Sequence, residues 1–192
     1  MNIPYEFEPK NLEIIFIECV GNTLIRGYYS ELVASLKIKG SNKILDYCCG
    51  SGIISRKISR KIKDGELIYT DMSKRWLKHT SSKLKSCKYA KGVFLDNFTG
   101  IISGGEYNKI LIHYVLHDFP KGYRIQIINQ AVKNLRTDGI LFIREPMEDS
   151  HGIKLHELFN LIESVKKLSY EYEIITKPLI GKYVHIKCRF KK

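Results

Sequence analysis

Apolar positions change their spacing along the chain, and each change marks an element. In the first forty residues the spacing is helical. Residues 11–20 carry apolar side chains nearly all round, and Leu24, Tyr28, Leu32 and Leu36 repeat through 23–36. Gly21-Asn22 separates these two predicted helices, and Gly40-Ser41-Asn42 ends the second. Strands and helices then alternate. Lys43 to Tyr47 is a short apolar strand, and Ile54, Ile58 and Ile62 set a helix over 51–62. A second strand covers 66–70, Ser73 caps a helix to about Lys85, and a third strand covers 89–95. Asn108 to Val115 is almost continuously apolar, as the buried middle of a parallel sheet requires. A helix follows over 122–135 with Ile125, Ile128, Ala131, Val132 and Leu135 inward, then a fifth strand over 139–144 and a last helix over 154–168. Residues 170–176 and 183–190 come with no helix between them, so Pro178 to Lys182 reads as the tight turn of an antiparallel hairpin.

This order predicts a doubly wound α/β fold: a Rossmann-like sheet of seven strands, mostly parallel, with helices on both faces and the hairpin closing it. No repeat or Pro/Gly/Ser linker divides the chain, so 1–192 is expected to be one domain. Its first forty residues would form a helical lid or cap over a core made by 41–192.

Composition narrows the setting. At 192 residues, 44% hydrophobic and 27% charged, the chain has ordinary globular usage. No apolar run approaches the ~20 residues of a membrane span, and the first residues lack the basic and apolar regions of a secretion signal. Cys19, Cys48, Cys49, Cys87 and Cys188 are odd in number and show no zinc spacing, so no metal is expected. Reduced thiols suit the cytoplasm. The net charge of +12 comes from dispersed lysines, which favours a solvated surface over a nucleic-acid footprint.

The densest chemistry lies between the first strand and its helix, in Asp46-Tyr47-Cys48-Cys49-Gly50-Ser51-Gly52. Glycines there let backbone approach a ligand, and the helix start offers free amides. A dinucleotide fingerprint would place a third glycine where Ser55 stands. The acidic residue before the turn would repel a phosphate and suit the ammonium of an amino-acid ligand. Asp71 ends the second strand and can accept from two ribose hydroxyls, or cap the next helix instead. Asp96-Asn97 ends the third strand. Three acidic residues thus fall at three successive strand ends.

In these residues the chain resembles the class I S-adenosylmethionine-dependent methyltransferases, whose first motif reads approximately D/E-x-G-x-G-x-G. Asp46, Gly50 and Gly52 match it, and Cys48 stands where the first glycine is usual. A positive φ there would be costly, because cysteine has a Cβ. The resemblance implies S-adenosylmethionine as cofactor, Asp71 as the ribose carboxylate, Met72 beside the adenine, and Asp96 on the adenine amino group.

The fourth-strand block, Tyr107 to Pro120, continues the resemblance. Asn108 replaces the usual Asp, and His113 occupies the small polar position beside the methionine portion of the cofactor. The Asn/Asp-Pro-Pro-Tyr/Phe signature of amino-group methylation is missing, as is the Pro-Cys nucleophile of cytosine-C5 chemistry. Leu116-His117-Asp118-Phe119 resembles a stretch in small-molecule O-methyltransferases, in some of which the histidine is the base. His117 and then His113 are therefore the candidate catalysts, since imidazole titrates near neutral pH. The loop after the fifth strand, Arg144 to Gly152, contains Glu145, Glu148 and His151; its glutamates could pair with a cationic acceptor, but are expected in water. Tyr5, Phe7, Tyr28 and Tyr29 could close over a sulfonium, or Tyr28 could pack in the core.

The expected function is methyl transfer from S-adenosylmethionine to a small-molecule acceptor, the resemblance extending to the ubiquinone/menaquinone-biosynthesis type. RNA methylation, suggested by the charge, and a non-catalytic cofactor-binding module are the alternatives.

Overall fold

The computed structural model describes residues 8–96, 106–147, 152–165 and 167–191. The chain forms two compact units, Met1–Gly100 and Ile101–Lys192.

The first unit contains α1 (Asn11–Asn22), α2 (Arg26–Ser35), β1 (Lys43–Tyr47), α3 (Ile53–Ser59), β2 (Glu66–Asp71), α4 (Lys74–Leu84) and β3 (Ala90–Phe94). Its strands are all parallel in the order β3-β2-β1, with Leu45 beside Ile68 and Tyr69 beside Gly92. Ile44, Leu67, Ile58, Leu32 and Leu36 form its buried centre. Ser73 caps α4 as its residue type predicts, accepting the Trp76 amide at 3.0 Å.

The break between the first two helices differs from the sequence reading. Gly21 and Asn22 lie inside α1, and the chain breaks at 23–25 instead. A Cβ on Gly21 would stand 2.2 Å from Cδ1 of Ile53, so this glycine lets α1 approach α3 and does not end the helix.

The second unit contains β4 (Tyr107–His113), one 3₁₀ turn (Leu116–Asp118), α5 (Lys121–Lys133), β5 (Leu135–Pro146), α6 (Leu155–Glu163), β6 (Leu168–Lys177) and β7 (Gly181–Phe190). Within it the order is β4-β5-β7-β6. β4 and β5 are parallel, and β7 runs antiparallel to both β5 and β6, which is the predicted hairpin. β5 starts four residues before the expected Gly139, through a register shift between Tyr107 and Lys109. Exposed Arg136, Thr137 and Asp138 form the irregular part, with Arg136 paired to Asp138 at 3.0 Å. On α5 the buried residues are Ile127, Ile128, Ala131 and Val132, so Ile127 takes the inward place expected of Ile125. α6 stops at Glu163, short of Leu168, which starts β6. Among the described residues no helix is long and apolar enough to cross a membrane.

Candidate functional site

The glycine loop joins β1 to α3 and is left-handed at three alternating residues: Cys48 at φ 54°, Gly50 at 52° and Gly52 at 69°. Each glycine is needed for a different reason. A Cβ on Gly52 would lie 2.4 Å from Cγ2 of Thr80, whereas one on Gly50 would meet nothing within 4 Å. Gly52 therefore serves packing, and Gly50 offers bare backbone beside open space. Cys48 holds its left-handed conformation despite its Cβ, which costs about 1–2 kcal/mol. Bonds from β2 and α4 hold the turn. Thr70 accepts the Cys48 amide at its hydroxyl (3.2 Å) and the Cys49 amide at its carbonyl (2.7 Å). The Thr80 hydroxyl donates to the Gly50 carbonyl at 3.0 Å.

Two of the predicted carboxylates are bound into this loop. Asp71 Oδ2 accepts the Gly50 amide at 2.8 Å, and its Oδ1 accepts the Ser73 amide at 2.9 Å. Backbone bonds from Gly50, Ser73 and Met72 take three of its roughly four lone-pair sites, so the carboxylate is oriented and keeps one to accept from a ligand's hydroxyl. Burial pushes its pKa up to about 6, against the backbone hydrogen bonds from Ser73, Gly50 and Met72. Asp46 is 2% exposed, and its Oδ2 accepts the Ser55 hydroxyl at 2.5 Å. Burial raises it to about 7; Ser55 opposes that rise, and the neighbouring charge of Asp71 adds to it. The place of a third glycine is thus taken by the residue that holds the loop's acid. Met72 is buried, Asp96 is exposed just past β3, and Asn97 lies outside the described residues.

Glu8 could not be found from the sequence pattern. Its carboxylate accepts the Ser73 hydroxyl (2.9 Å) and the amides of Lys74 (2.9 Å) and Arg75 (3.2 Å), tying the N-terminal segment to the start of α4. Tyr28 packs in the core at 6% exposure, edge-on to Tyr29 at 5.2 Å. Tyr5, Phe7, Glu148 and His151 lie outside the described residues.

In the second unit a buried carboxylate at the end of β5 meets a half-buried imidazole on the turn that follows β4. Glu145 was expected in water, yet it is fully buried. Its Oε1 accepts the amides of Val115 (2.9 Å) and Leu116 (2.8 Å), and its Oε2 accepts the His117 amide (3.4 Å) and ring Nδ1 (2.8 Å). Four donors compensate the desolvation of that carboxylate. His117 Nε2 stands 3.3 Å from Asp118 Oδ1. Burial lowers the affinity of His117 for a proton, but the hydrogen bond and charge of Glu145, with Asp118, outweigh it and raise the pKa above 6.5. His113 behaves oppositely: burial, then the positive Arg144 and the second imidazole of His185, pull it down to about 3. Its ring stacks on Tyr114 with centroids 4.6 Å apart. His113 is a neutral imidazole with little proton affinity, and His117 is the stronger base.

Among the described residues no group of three His, Cys, Asp or Glu could hold a metal ion. An open backbone at Gly50, a fixed carboxylate at Asp71 and an acid at Asp46 form a donor and acceptor set that fits a nucleoside carrying an amino acid.

The chain is similar in fold to the N-methyltransferase NodS of Bradyrhizobium japonicum, solved with S-adenosyl-L-homocysteine, at TM-score 0.73 and 15% identity over 100% of this chain and 94% of that one. Magnesium protoporphyrin IX methyltransferase from Synechocystis, solved with S-adenosylmethionine, gives 0.67 and 14% over 95% and 86%. A proposed rRNA methylase from Clostridium thermocellum gives 0.69 and 14% over 85% and 96%. These likenesses show the doubly wound, Rossmann-like α/β fold. No curated protein matches the sequence. The family model of the methyltransferase small domain matches residues 30–176, and the chain belongs to that family: it is a methyltransferase.

Proposed function

We propose that this S-adenosylmethionine-dependent methyltransferase acts on a small-molecule acceptor, in the cytoplasm, with 1–192 working as one domain capped by its first forty residues. The observation that carries the cofactor assignment is the tie between Gly50 and Asp71, which orients a carboxylate beside open backbone. Asp71 would accept from a ribose hydroxyl, Asp46 would face the ammonium group, and Met72, Asp96 and Asn97 would flank the adenine. Cys48, Gly50 and Gly52 shape the loop, and His113 would line the methionine portion. When bound, the cofactor supplies an electrophilic methyl group on a sulfonium.

For a hydroxyl acceptor, His117 takes the proton at Nε2 while Glu145 holds Nδ1 and fixes the tautomer. Glu145 acts through His117 and is a positioning residue. Titration calorimetry with S-adenosylhomocysteine and S-adenosylmethionine tests the assignment. Saturable binding of both is expected, and binding of NAD with no response to either would overturn it.

RNA methylation is the second reading, favoured by the net charge of +12. The scatter of the lysines speaks for the small molecule.

A further inference from the structure

Within the first unit, α3 bears a concentration of positive charge that the glycine loop does not use. Arg26 at the start of α2, Arg56 and Lys57 on α3 and Arg60 just past its end line a pocket of about 260 Å³, completed by Asn22 and Ile53. Arg56 is answered by Glu18, with Nη2 at 2.7 Å from Oε1, and its Nε reaches the Gly52 carbonyl at 3.4 Å. Lys57 donates to the neutral Ser30 hydroxyl at 2.9 Å. Among the described residues, Arg26, Lys57 and Arg60 meet no carboxylate within ion-pair distance. Burial, then Arg26, Arg60 and Arg56, lower the proton affinity of Lys57, so the cations feel one another. Solvated surface cations ordinarily spread apart in water. Here Ser30, Glu18 and the Gly52 carbonyl hold two of the four around one concavity.

We propose that this pocket binds a phosphate group of a small ligand, and that the ligand is the methyl acceptor, anchored by its phosphorylated end. Guanidinium forks match phosphate oxygens two at a time, and a lysine beside them adds a point charge. Sites that enclose a whole drug-sized ligand run to roughly 300–1,000 Å³. The pocket is smaller, which suits an anionic end and leaves the rest of the molecule outside it. Its place fits such an anchor: Ile53 directly follows the glycine loop, and Arg56 is bonded to the loop's last carbonyl. The statement that the ligand is the acceptor rests on the function proposed above.

The test is calorimetry of the full chain with inorganic pyrophosphate, run in parallel with S-adenosylhomocysteine. One saturable pyrophosphate site is expected. Arg26→Ala or Arg60→Ala should each weaken it about tenfold, the loss of one charged hydrogen-bonding partner. Arg26→Lys and Arg60→Lys should lose less, and Lys133→Ala, in the second unit, should change nothing. Both arginines are exposed, so the variants are expected to fold. No saturable binding, or equal weakening by Lys133→Ala, overturns the proposal. So does an RNA oligonucleotide that binds about a thousandfold tighter and is lost in the same variants, since the pocket would then serve a nucleic-acid backbone. If pyrophosphate binds but S-adenosylhomocysteine does not, the methyltransferase reading and the acceptor assignment fall while the anion site stands. The reverse outcome overturns the anion site alone.

Discussion

Three residues carry opposed electrostatic demands. Asp46 ionises about three pH units above its usual 3.8, because burial disfavours the charged form. The fold therefore favours protonated Asp46. Its contribution to stability is greatest below pH 4 and is lost as pH rises towards about 7. Asp46→Asn removes that loss. At pH 8 the variant is expected to be more stable by roughly 1–3 kcal/mol, about 2–12 °C in Tm, with little difference at pH 4. It should also bind S-adenosylhomocysteine more weakly if Asp46 faces the ammonium group as proposed. Thermal scans at both pH values check the first statement, and an unchanged Tm at pH 8 would refute it. For His117 the raised pKa has a kinetic sign. The proposed base must be neutral to act, so in that role kcat/KM should rise with pH through a value above 6.5. Glu145→Gln removes the charge that holds the proton and should move that limb to lower pH. His117→Ala should lower kcat by ~10²–10⁴-fold with cofactor affinity nearly unchanged. A pH profile identical in wild type and Glu145→Gln would remove Glu145 from the positioning role.

At the scale of elements the glycine loop separates two kinds of glycine, and substitution tells them apart. Gly50→Ala adds a Cβ where nothing stands within 4 Å, so only the φ of 52° is penalised, by about 1–2 kcal/mol. Its Cβ fills the space a cofactor would use, and binding should fall far more than stability. Gly52→Ala meets Thr80 at 2.4 Å in addition to its own φ of 69°. It should cost about 2–4 kcal/mol, or roughly 4–16 °C in Tm, part of which Thr80→Ala restores. Equal effects of the two alanines on stability would contradict this division. The loop was legible in the sequence because its glycines, its acid and the flanking periodicities agree. Gly21 was not: a glycine between two helical patterns reads as a stop, and only the packing of Ile53 shows why a helix runs through it. Glu145 was misplaced for a related reason. A glutamate near a loop reads as solvated until four donors from another segment are seen around it. Thr80 and Glu8 act through partners 30 and 65 residues away, a separation that no local pattern encodes.

At the scale of the whole molecule the net charge of +12 sets how the protein meets polyanions. Dispersed cations attract a phosphate backbone without reading it, and the attraction falls steeply with salt because it depends on released counterions. The chain is expected to bind RNA, with a dissociation constant no tighter than about 10⁻⁶ M at physiological salt, the upper end of non-specific binding. Structured and random RNA should bind alike. Much of this attraction should survive Arg26→Ala and Arg60→Ala, because each removes one cation of 32. A pyrophosphate site built from the same two arginines should respond far more strongly. Filter binding over a salt series provides the measurement, with the slope of log affinity against log salt as its readout. A structured RNA bound about 10³-fold or more tighter than random sequence would show specific recognition and turn the acceptor from a small molecule to RNA. A steep slope with no such preference is what a charged but non-reading surface requires, and it would leave the phosphate pocket as the place where the charge of this chain selects a ligand.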